Sequence, residues 1–152
     1  MTVPGSARSA DAVRAAARLA KVSGSALADA DLTLPQYRVL VFLVARGRPA
    51  THVAALLGVT PSTVTSVVDG LVARGLVERS SDPEDRRRVV LSLTPSGSAT
   101  VRRGDEVVGA ALDRLLARLE PSEAETALVG LELLNKAMEA ALDERFGVAH
   151  GT

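Results

Sequence analysis

Residues 58–94 have the sequence GVTPSTVTSVVDGLVARGLVERSSDPEDRRRVVLSLT. Thr60 followed by Pro61 is typical of a helix start, because the threonine side chain can accept an amide proton of the first turn and proline loses no hydrogen bond at the first helical position. Apolar side chains then recur at helical spacing and form one stripe: Val64, Val67, Val68 and Leu71. Gly75 ends the predicted helix.

The opposite face of this predicted helix is polar and made of short side chains. Its members are Ser62, Thr63, Thr65, Ser66 and Asp69. Short side chains can lie against base edges and phosphates without steric hindrance. The sequence therefore predicts a helix that is suited to a DNA groove.

A β-hairpin with arginines near its tip is predicted to follow. Residues 76–79 and 89–93 favour two strands, because apolar and β-branched side chains dominate them. The polar loop 80–88 contains Pro83 as a turn residue and ends on three consecutive arginines: Arg86, Arg87 and Arg88. A short helix and a turn at 58–60 precede the groove-binding helix. Helix, turn, helix and winged hairpin together are typical of proteins that read nucleic acid.

Composition limits the class of protein. A chain of 152 residues predicts one domain with a sizeable core, and with only two Phe and one Tyr that core must consist of Leu, Val and Ala in close-packed helices. The absence of Cys excludes disulfides, thiolate metal sites and thiol redox sensing. No apolar run approaches the ~20 residues of a membrane span, and no secretory signal is evident, so we expect a cytoplasmic protein.

Formal charge is an argument against nucleic-acid binding, since DNA-binding domains are usually basic. The chain has 18 basic and 18 acidic residues, and residues 58–94 contain five arginines and five acids. A dimer that binds through a few arginines and helix N-termini can keep the rest of its surface neutral. We therefore expect modest non-specific affinity that depends strongly on salt.

The predicted fold class is mainly α with a small β-wing, in which a winged helix-turn-helix is flanked by terminal dimerisation helices. We predict a disordered tail over 1–8, an N-terminal dimerisation helix and linker over 9–33, the winged helix-turn-helix over 34–94, long C-terminal helices over 95–146 and a loose tail over 147–152. Within this order, Gly47 is expected to stop the second helix, and Thr94 followed by Pro95 repeats the threonine–proline helix start after the wing. Ser122 and Glu125 are expected to form the capping box of the last helix.

The terminal helices are more apolar than a small solvated domain requires. In the last helix five apolar residues recur at spacings of three and four: Leu128, Leu131, Leu134, Met138 and Leu142. We infer a homodimer built from the terminal helices. The alternative is that these helices pack only on each other within one chain.

From Leu32 onward the chain resembles the MarR (multiple-antibiotic-resistance regulator) family of transcription factors. The resemblance is carried by LTLPQYRVLVFL (32–43), VAALLGVTPSTVTSVVDGLVARGLVER (53–79) and DPEDRRRVVLSLTPSG (82–97), and it covers roughly residues 10–142. It implies a winged helix-turn-helix homodimer with its recognition helices in successive major grooves of double-stranded DNA. It also implies repression that is relieved by a small, often aromatic, effector. Two-fold symmetry predicts a pseudo-palindromic site with half-sites roughly 34–36 Å apart.

The resemblance also implies roles for individual residues. Four positions match those that touch bases and phosphates in the family: Ser62, Thr63, Thr65 and Ser66. Many relatives have a guanine-reading arginine among them, whereas this chain has only hydroxyl residues, which favours phosphate contacts, thymine-methyl contacts and shape readout. Asp85 and Arg87 match the wing pair in which the acid orients an arginine that enters the minor groove. Arg86 and Arg88 flank it.

Tyr37 is a candidate ligand contact between the dimer helices and the winged lobe; alternatively it is a half-buried core aromatic.

The sequence has no nucleophile–base pair, phosphate-binding glycine loop or paired carboxylates, and we expect no enzyme activity, no cofactor and no metal site. Three functions remain open. They are a ligand-responsive repressor, a constitutive DNA-binding regulator, and a winged-helix protein-interaction module without DNA binding.

Overall fold

A computed structural model describes residues 6–44, 48–58 and 60–146. The chain is mainly helical with a small β-sheet, as the sequence predicts. The elements are α1 (Ser6–Ala26), a 3-10 turn (Leu27–Ala30), α2 (Leu34–Leu43), β1 (Arg48–Pro49), α3 (Ala50–Leu57), α4 (Pro61–Ala73), β2 (Val77–Ser81), β3 (Val89–Leu93), α5 (Pro95–Leu116) and α6 (Pro121–Phe146). Helices α3 and α4 form the helix-turn-helix, and β2 and β3 form the wing.

The wing is part of a three-stranded antiparallel sheet with strand order β1-β3-β2. The β2–β3 hairpin, which the sequence predicted, runs in register from Val77 opposite Leu93 to Ser81 opposite Val89. Strand β1 pairs Arg48 with Leu91 on the other edge of β3. The sequence did not predict β1, because two residues are too few to show the alternation of a strand and one of them is proline.

Threonine caps begin three helices. The side chains of Thr60 and Thr94 accept amide protons at the starts of α4 and α5, as predicted. At α2, Thr33 and Gln36 form a complete capping box, in which the Thr33 amide donates to Gln36 Oε1 at 2.9 Å. These caps satisfy amide groups that would otherwise have no partner in the first turn.

Several predicted boundaries are wrong. Helix α1 begins at Ser6, so residues 6–8 of the expected tail are helical, while 1–5 and 147–152 lie outside the described residues. Helix α2 ends at Leu43, before the expected stop at Gly47, which also lies outside the described residues. The capping box expected from Ser122 does not form, because Pro121 starts α6 and the Glu123 carboxylate accepts the Glu120 amide proton at 3.1 Å.

The hydrophobic core lies between the 3-10 turn, α2, α3, α4, the sheet and the first half of α5. Its fully buried side chains are Leu27, Val39, Leu40, Leu43, Val53, Leu71, Val77 and Leu91. Burial of this leucine and valine surface is the main driving force that holds the winged lobe together. The lobe thus has a rigid base for its exposed helix face and wing.

Helix α5 supports the winged lobe through a face of small residues. Gly97, Val101, Gly104 and Ala111 are its buried positions. A Cβ on Gly97 would lie 2.0 Å from the Leu76 carbonyl oxygen, so the backbones of α5 and of the segment before β2 touch at this point. Helix α6, in contrast, makes only sparse contacts with the other described elements. None of the helices in the described ranges is long and apolar enough to cross a membrane.

Candidate nucleic-acid interface

Helix α4 presents a polar face to solvent and an apolar face to the core. The four hydroxyl residues proposed for DNA contact are all exposed: Ser62, Thr63, Thr65 and Ser66. On the opposite side Val64, Val68 and Leu71 are buried. The 3.6-residue period of the helix produces this division, because residues three and four apart share a face. The structure therefore brings the predicted hydroxyl residues together on one exposed face.

The first turn of α4 contains a cluster of hydroxyl groups. Thr60 Oγ1 lies 2.9 Å from Ser62 Oγ and 3.0 Å from Thr63 Oγ1, and it accepts the Thr63 amide proton at 3.4 Å. The cluster holds these hydroxyls at the positive end of the helix dipole, where a phosphate oxygen is favoured. Sequence reasoning assigned Thr60 only a capping role and missed its membership of this cluster.

An ion pair connects the exposed face of α4 to the wing. Asp69 Oδ1 accepts a hydrogen bond from Arg79 Nη2 of β2 at 2.5 Å. Both side chains are substantially exposed, so the pair contributes little to stability. Its main consequence is geometric, because it places Arg79 beside the exposed face of α4. No sequence signal indicates a contact between residues that lie ten positions apart across a helix–strand junction.

The loop between β2 and β3 is closed by hydrogen bonds within itself. The Asp82 amide donates to the Arg88 carbonyl oxygen at 3.0 Å, and the Arg88 amide donates to the Asp85 carbonyl oxygen at 2.8 Å. The Glu84 amide donates to Asp82 Oδ1 at 2.9 Å. Side chains 83–88 are exposed, so the three arginines lie on the outer surface of the wing.

Asp85 contacts Arg87 in a different way from the expected one. Its carboxylate accepts the backbone amide proton of Arg87 at 3.1 Å, and its ion pair, at 4.0 Å, is with Arg88 Nε. An aspartate side chain readily accepts the amide proton of the residue two positions later in the chain. This local bond does not depend on where the Arg87 guanidinium group lies. Asp85 therefore shapes the loop that presents Arg87, and the structure does not show it holding the guanidinium group itself.

Tyr37 joins α2 to α5. Its hydroxyl donates a hydrogen bond to the Asp105 carboxylate. Partial burial, together with the hydrogen bond and negative charge of Asp105, raises the pKa of the Tyr37 phenol above its usual range. The Tyr37 hydroxyl therefore donates its proton to a hydrogen bond within the protein. The partner of Tyr37 could not be identified from the sequence, because 68 positions separate the two residues.

An open groove of about 480 Å³ lies between the 3-10 turn, the start of α2 and the end of α4. Its lining residues are Ala28, Asp31, Leu32, Thr33, Gln36 and Arg74. Across it, Arg74 Nη2 donates to Asp31 Oδ2 at 3.4 Å. Asp31 adopts a left-handed backbone conformation with a φ of 55° where the 3-10 turn ends, and its side chain is almost fully exposed. Tyr37 does not line this groove.

Most of the residues predicted to form a dimer interface point outward from α6. Leu128, Leu134 and Met138 expose 41%, 61% and 59% of their surface. Leu131 is partly buried instead. Val129 and Leu133 add exposed apolar surface on a second side of the helix. An apolar helix with two uncovered sides and sparse contacts within its own chain is typical of an oligomer interface.

Comparison with known proteins shows the same architecture in relatives. The MarR family matches residues 30–88. The uncharacterised HTH-type transcriptional regulator YfiV of Bacillus subtilis is 35% identical over 115 residues, which are 75% of this chain and 72% of YfiV.

Two solved structures superpose on most of the chain. The transcriptional repressor CouR, bound to a 23-mer DNA duplex, is 32% identical with a TM-score of 0.67, over 82% of this chain and 89% of CouR. The MarR family protein RV2887 of Mycobacterium tuberculosis, in complex with p-aminosalicylic acid, is 30% identical with a TM-score of 0.67, over 81% of this chain and 94% of RV2887. The helix order, the arginine-tipped wing and these relatives agree: the chain belongs to the MarR family, whose members are transcriptional regulators and not enzymes.

Proposed function

We propose that this regulator is a homodimeric repressor that binds a pseudo-palindromic site in double-stranded DNA. The observation that carries the proposal is the exposed hydroxyl face of α4 beside a wing with three arginines at its tip. DNA binding also agrees with the likeness to CouR, whose structure contains a DNA duplex. Action on DNA implies a cytoplasmic location.

Helix α4 would enter the major groove with its hydroxyl face. Ser62 and Thr63, which belong to the first-turn cluster, would donate to phosphate oxygens and fix the register of the helix on the duplex. The methyl groups of Thr63 and Thr65 would contact thymine methyls. Since this face has no arginine to read guanine, specificity should depend substantially on DNA shape and on bound water.

The wing would enter the adjacent minor groove with Arg87. A narrow, AT-rich minor groove concentrates negative potential and attracts a guanidinium group. Arg86 would contact a phosphate beside it. Arg88 is paired with Asp85 in the free protein, so phosphate contact by Arg88 would require exchange of that weak, exposed ion pair.

A second copy of the chain would cover α6. The exposed apolar side chains of α6 and the sparse contacts of this helix within the chain support this assignment. A two-fold dimer repeats the same surface patch on both subunits and therefore places two copies of α4 symmetrically. The alternative, that the terminal helices pack only within one chain, is disfavoured because α6 has little intramolecular packing.

An effector would bind in the groove that contains Arg74 and Asp31. A carboxylate ligand would compete with Asp31 for the Arg74 guanidinium group, and RV2887 was crystallised with a carboxylate of this kind. Arg74 caps the end of α4, so a ligand that engages it could shift the recognition helix. The ligand would weaken DNA binding only as far as it binds the DNA-free conformation of the dimer more tightly than the DNA-bound conformation.

Release by p-aminosalicylate tests the effector site. We expect this probe to weaken DNA binding by the wild-type protein. Arg74→Gln should keep DNA binding and lose the response, whereas Arg118→Gln, a change at an exposed arginine outside the groove, should keep both. If p-aminosalicylate and other aromatic carboxylates leave the DNA complex of the wild type intact, the protein is better described as a constitutive regulator.

Transcription in vitro tests repression. A promoter that carries the bound site should produce less transcript as protein is added, because a dimer on the duplex excludes polymerase. The matched control is the same promoter with the two half-sites scrambled. An increase in transcript would make the protein an activator, and folded dimers that bind no duplex would favour a protein-interaction module.

A further inference from the structure

Besides the buried side chain of Val101, two close contacts join the winged lobe to α5. The first is a clasp at the start of α5, formed by Gly75, Thr94 and Gly97. Thr94 Oγ1 donates to the Gly75 carbonyl oxygen at 2.6 Å, and its amide donates to the Leu76 carbonyl oxygen at 3.1 Å. A Cβ on Gly97 would collide with that same carbonyl group. The clasp therefore joins the end of the recognition helix to α5 through backbone contacts.

The second attachment, which we name the Tyr37 joint, consists of Tyr37, Gly104 and Asp105. The phenol ring of Tyr37 lies so close to α5 that a Cβ on Gly104 would come within 2.8 Å of Tyr37 Cε2. The Tyr37 hydroxyl donates to the Asp105 carboxylate. The joint is seven residues beyond Gly97, which is two helical turns or about 10 Å along the same side of α5.

The Tyr37 joint is mechanically connected to the recognition helix. Helix α2, which carries Tyr37, packs against both α5 and α4. Gln36, the preceding residue, places its Nε2 atom 4.0 Å from where a Cβ on Gly70 of α4 would lie. A rotation of α2 about the clasp would therefore move α4 relative to α5. Two attachments about 10 Å apart on one helix, with the buried Val101 between them, constrain the lobe angle more tightly than either attachment alone.

We propose that Tyr37, Gly104 and Asp105 are positioning residues that set the distance between the two recognition helices of the dimer, and so the half-site spacing that the protein accepts. The inference rests on the proposed function, because only a dimer on DNA has a spacing to select. One base pair corresponds to about 3.4 Å along the helix axis. Because two-fold symmetry repeats any lobe rotation in both subunits, a shift of each recognition helix by about half that step would change the preferred spacing by one base pair.

Substitutions in the Tyr37 joint should leave the stability of the hydrophobic core unchanged. Asp105 is exposed and Tyr37 is only partly buried. Tyr37→Phe removes the hydrogen bond and keeps the ring on Gly104, so it creates neither a cavity nor an unsatisfied buried group. Asp105→Ala removes the same bond from the other side. The two variants should therefore fold like the wild type while they differ from it in lobe angle.

The experiment measures the affinity of the full-length protein for duplexes whose two half-sites are moved together or apart in steps of one base pair. We expect the wild type to prefer one spacing. Tyr37→Phe and Asp105→Ala should each lower the preference for that spacing over its neighbours by about 2- to 10-fold, the factor that corresponds to one hydrogen bond. The double variant should match either single variant, since all three lack the same bond.

Thr100→Val is the matched control. It also deletes a hydroxyl, which donates to the Ser96 carbonyl oxygen at 2.9 Å within α5, but it leaves the joint intact. This variant should keep the spacing profile of the wild type. General destabilisation would lower binding equally at every spacing and would leave the profile unchanged.

The outcomes separate the two proposals. A wild type that selects spacing while both folded variants keep the same profile would overturn the positioning role and leave the proposed function standing. A folded wild type that binds no duplex at any spacing would overturn the proposed function, and the role of the joint with it.

Discussion

At the residue scale, DNA affinity should depend on the wing arginine Arg87. We predict that Arg87→Ala weakens binding by about 1–3 kcal/mol, because a guanidinium contact to nucleic acid is lost. Arg118→Ala, which removes an exposed arginine between α5 and α6, should leave affinity unchanged. Fluorescence anisotropy with a labelled duplex at one fixed salt concentration measures both. Equal affinities for Arg87→Ala and the wild type would remove the wing from the binding mechanism.

Tyr37 should make stability depend on pH in the alkaline range. Burial and the Asp105 carboxylate raise the pKa of Tyr37 in the folded state above about 10, the value expected in the unfolded chain. The protonated phenol therefore stabilises the fold fully below about pH 10, and this contribution is lost as pH rises through the folded-state pKa. We predict that Tyr37→Phe flattens the fall in unfolding free energy above about pH 10.

The phenolate absorbance of Tyr37 checks the same prediction directly, because the chain has one Tyr and no Trp. In the folded protein the phenolate should appear only well above pH 10, and Asp105→Ala should bring its appearance to lower pH. Ionisation of the folded protein with a midpoint near pH 10 would contradict the hydrogen bond to Asp105.

Sequence patterns predict which residues share one face of a helix. They do not predict contacts between elements that are far apart in the chain. The exposed positions of Ser62 and Ser66 follow from the 3.6-residue period. The bond from Tyr37 to Asp105 joins two elements whose meeting depends on the whole fold, so no local pattern indicates it. Asp85 shows a different limit. The sequence paired Asp85 with Arg87, but it did not show that Asp85 contacts the backbone amide of Arg87 and not its guanidinium group.

At the element scale, α5 should respond oppositely to two glycine substitutions. A Cβ at Gly97 would lie 2.0 Å from the Leu76 carbonyl oxygen, whereas a Cβ at Gly109 meets no atom within 4 Å. We predict that Gly97→Ala lowers the unfolding free energy by about 1–3 kcal/mol through overpacking. Gly109→Ala should raise it by about 0.5–1 kcal/mol, because alanine is the better helix former.

Chemical denaturation of both variants at one protein concentration tests this pair of predictions, since the stability of a dimer depends on concentration. A Gly97→Ala protein as stable as the wild type would mean that α5 does not touch the backbone at Leu76. Such a result would also mean that the clasp does not orient the winged lobe on α5.

Helices were easier to predict than their ends. The starts at Thr60 and Thr94 were correct because threonine followed by proline combines a cap with a fixed φ. We expected the cap of α6 at Ser122, whereas the helix begins at Pro121. Pro121 and Glu123 are themselves helix-start signals in the sequence, since Glu123 accepts the Glu120 amide proton. Strand β1 exists only through its pairing with β3, so its own two residues carry no signal.

At the scale of the whole molecule, α6 should hold the dimer together. We predict that Leu131→Asp combined with Leu134→Asp produces monomers, because charges in an apolar interface lose hydration without gaining partners. Lys136→Asp, a similar change at an exposed charged position of α6, should leave the dimer intact. Light scattering measures the mass, and circular dichroism checks that the helices persist. A helical double variant that remains dimeric would place the interface elsewhere.

The architecture of the monomer was within reach of the sequence, whereas the angle between its parts was not. The winged lobe follows from the order of patterns in residues 58–94. The orientation of that lobe on α5 depends on close approaches at Gly97 and Gly104, which in the sequence are simply two glycines in a helix. A net charge of zero likewise conceals three arginines gathered on one exposed loop.

Selection of bound duplexes from a random DNA pool, at physiological salt and with competitor DNA, tests whether this protein recognises a specific DNA sequence. A homodimer that reads DNA with α4 and the wing should recover a pseudo-palindrome whose half-sites are about one helical turn apart, with AT-rich sequence where the wings lie. A folded, dimeric protein that recovers no common sequence would contradict sequence-specific DNA recognition by this surface.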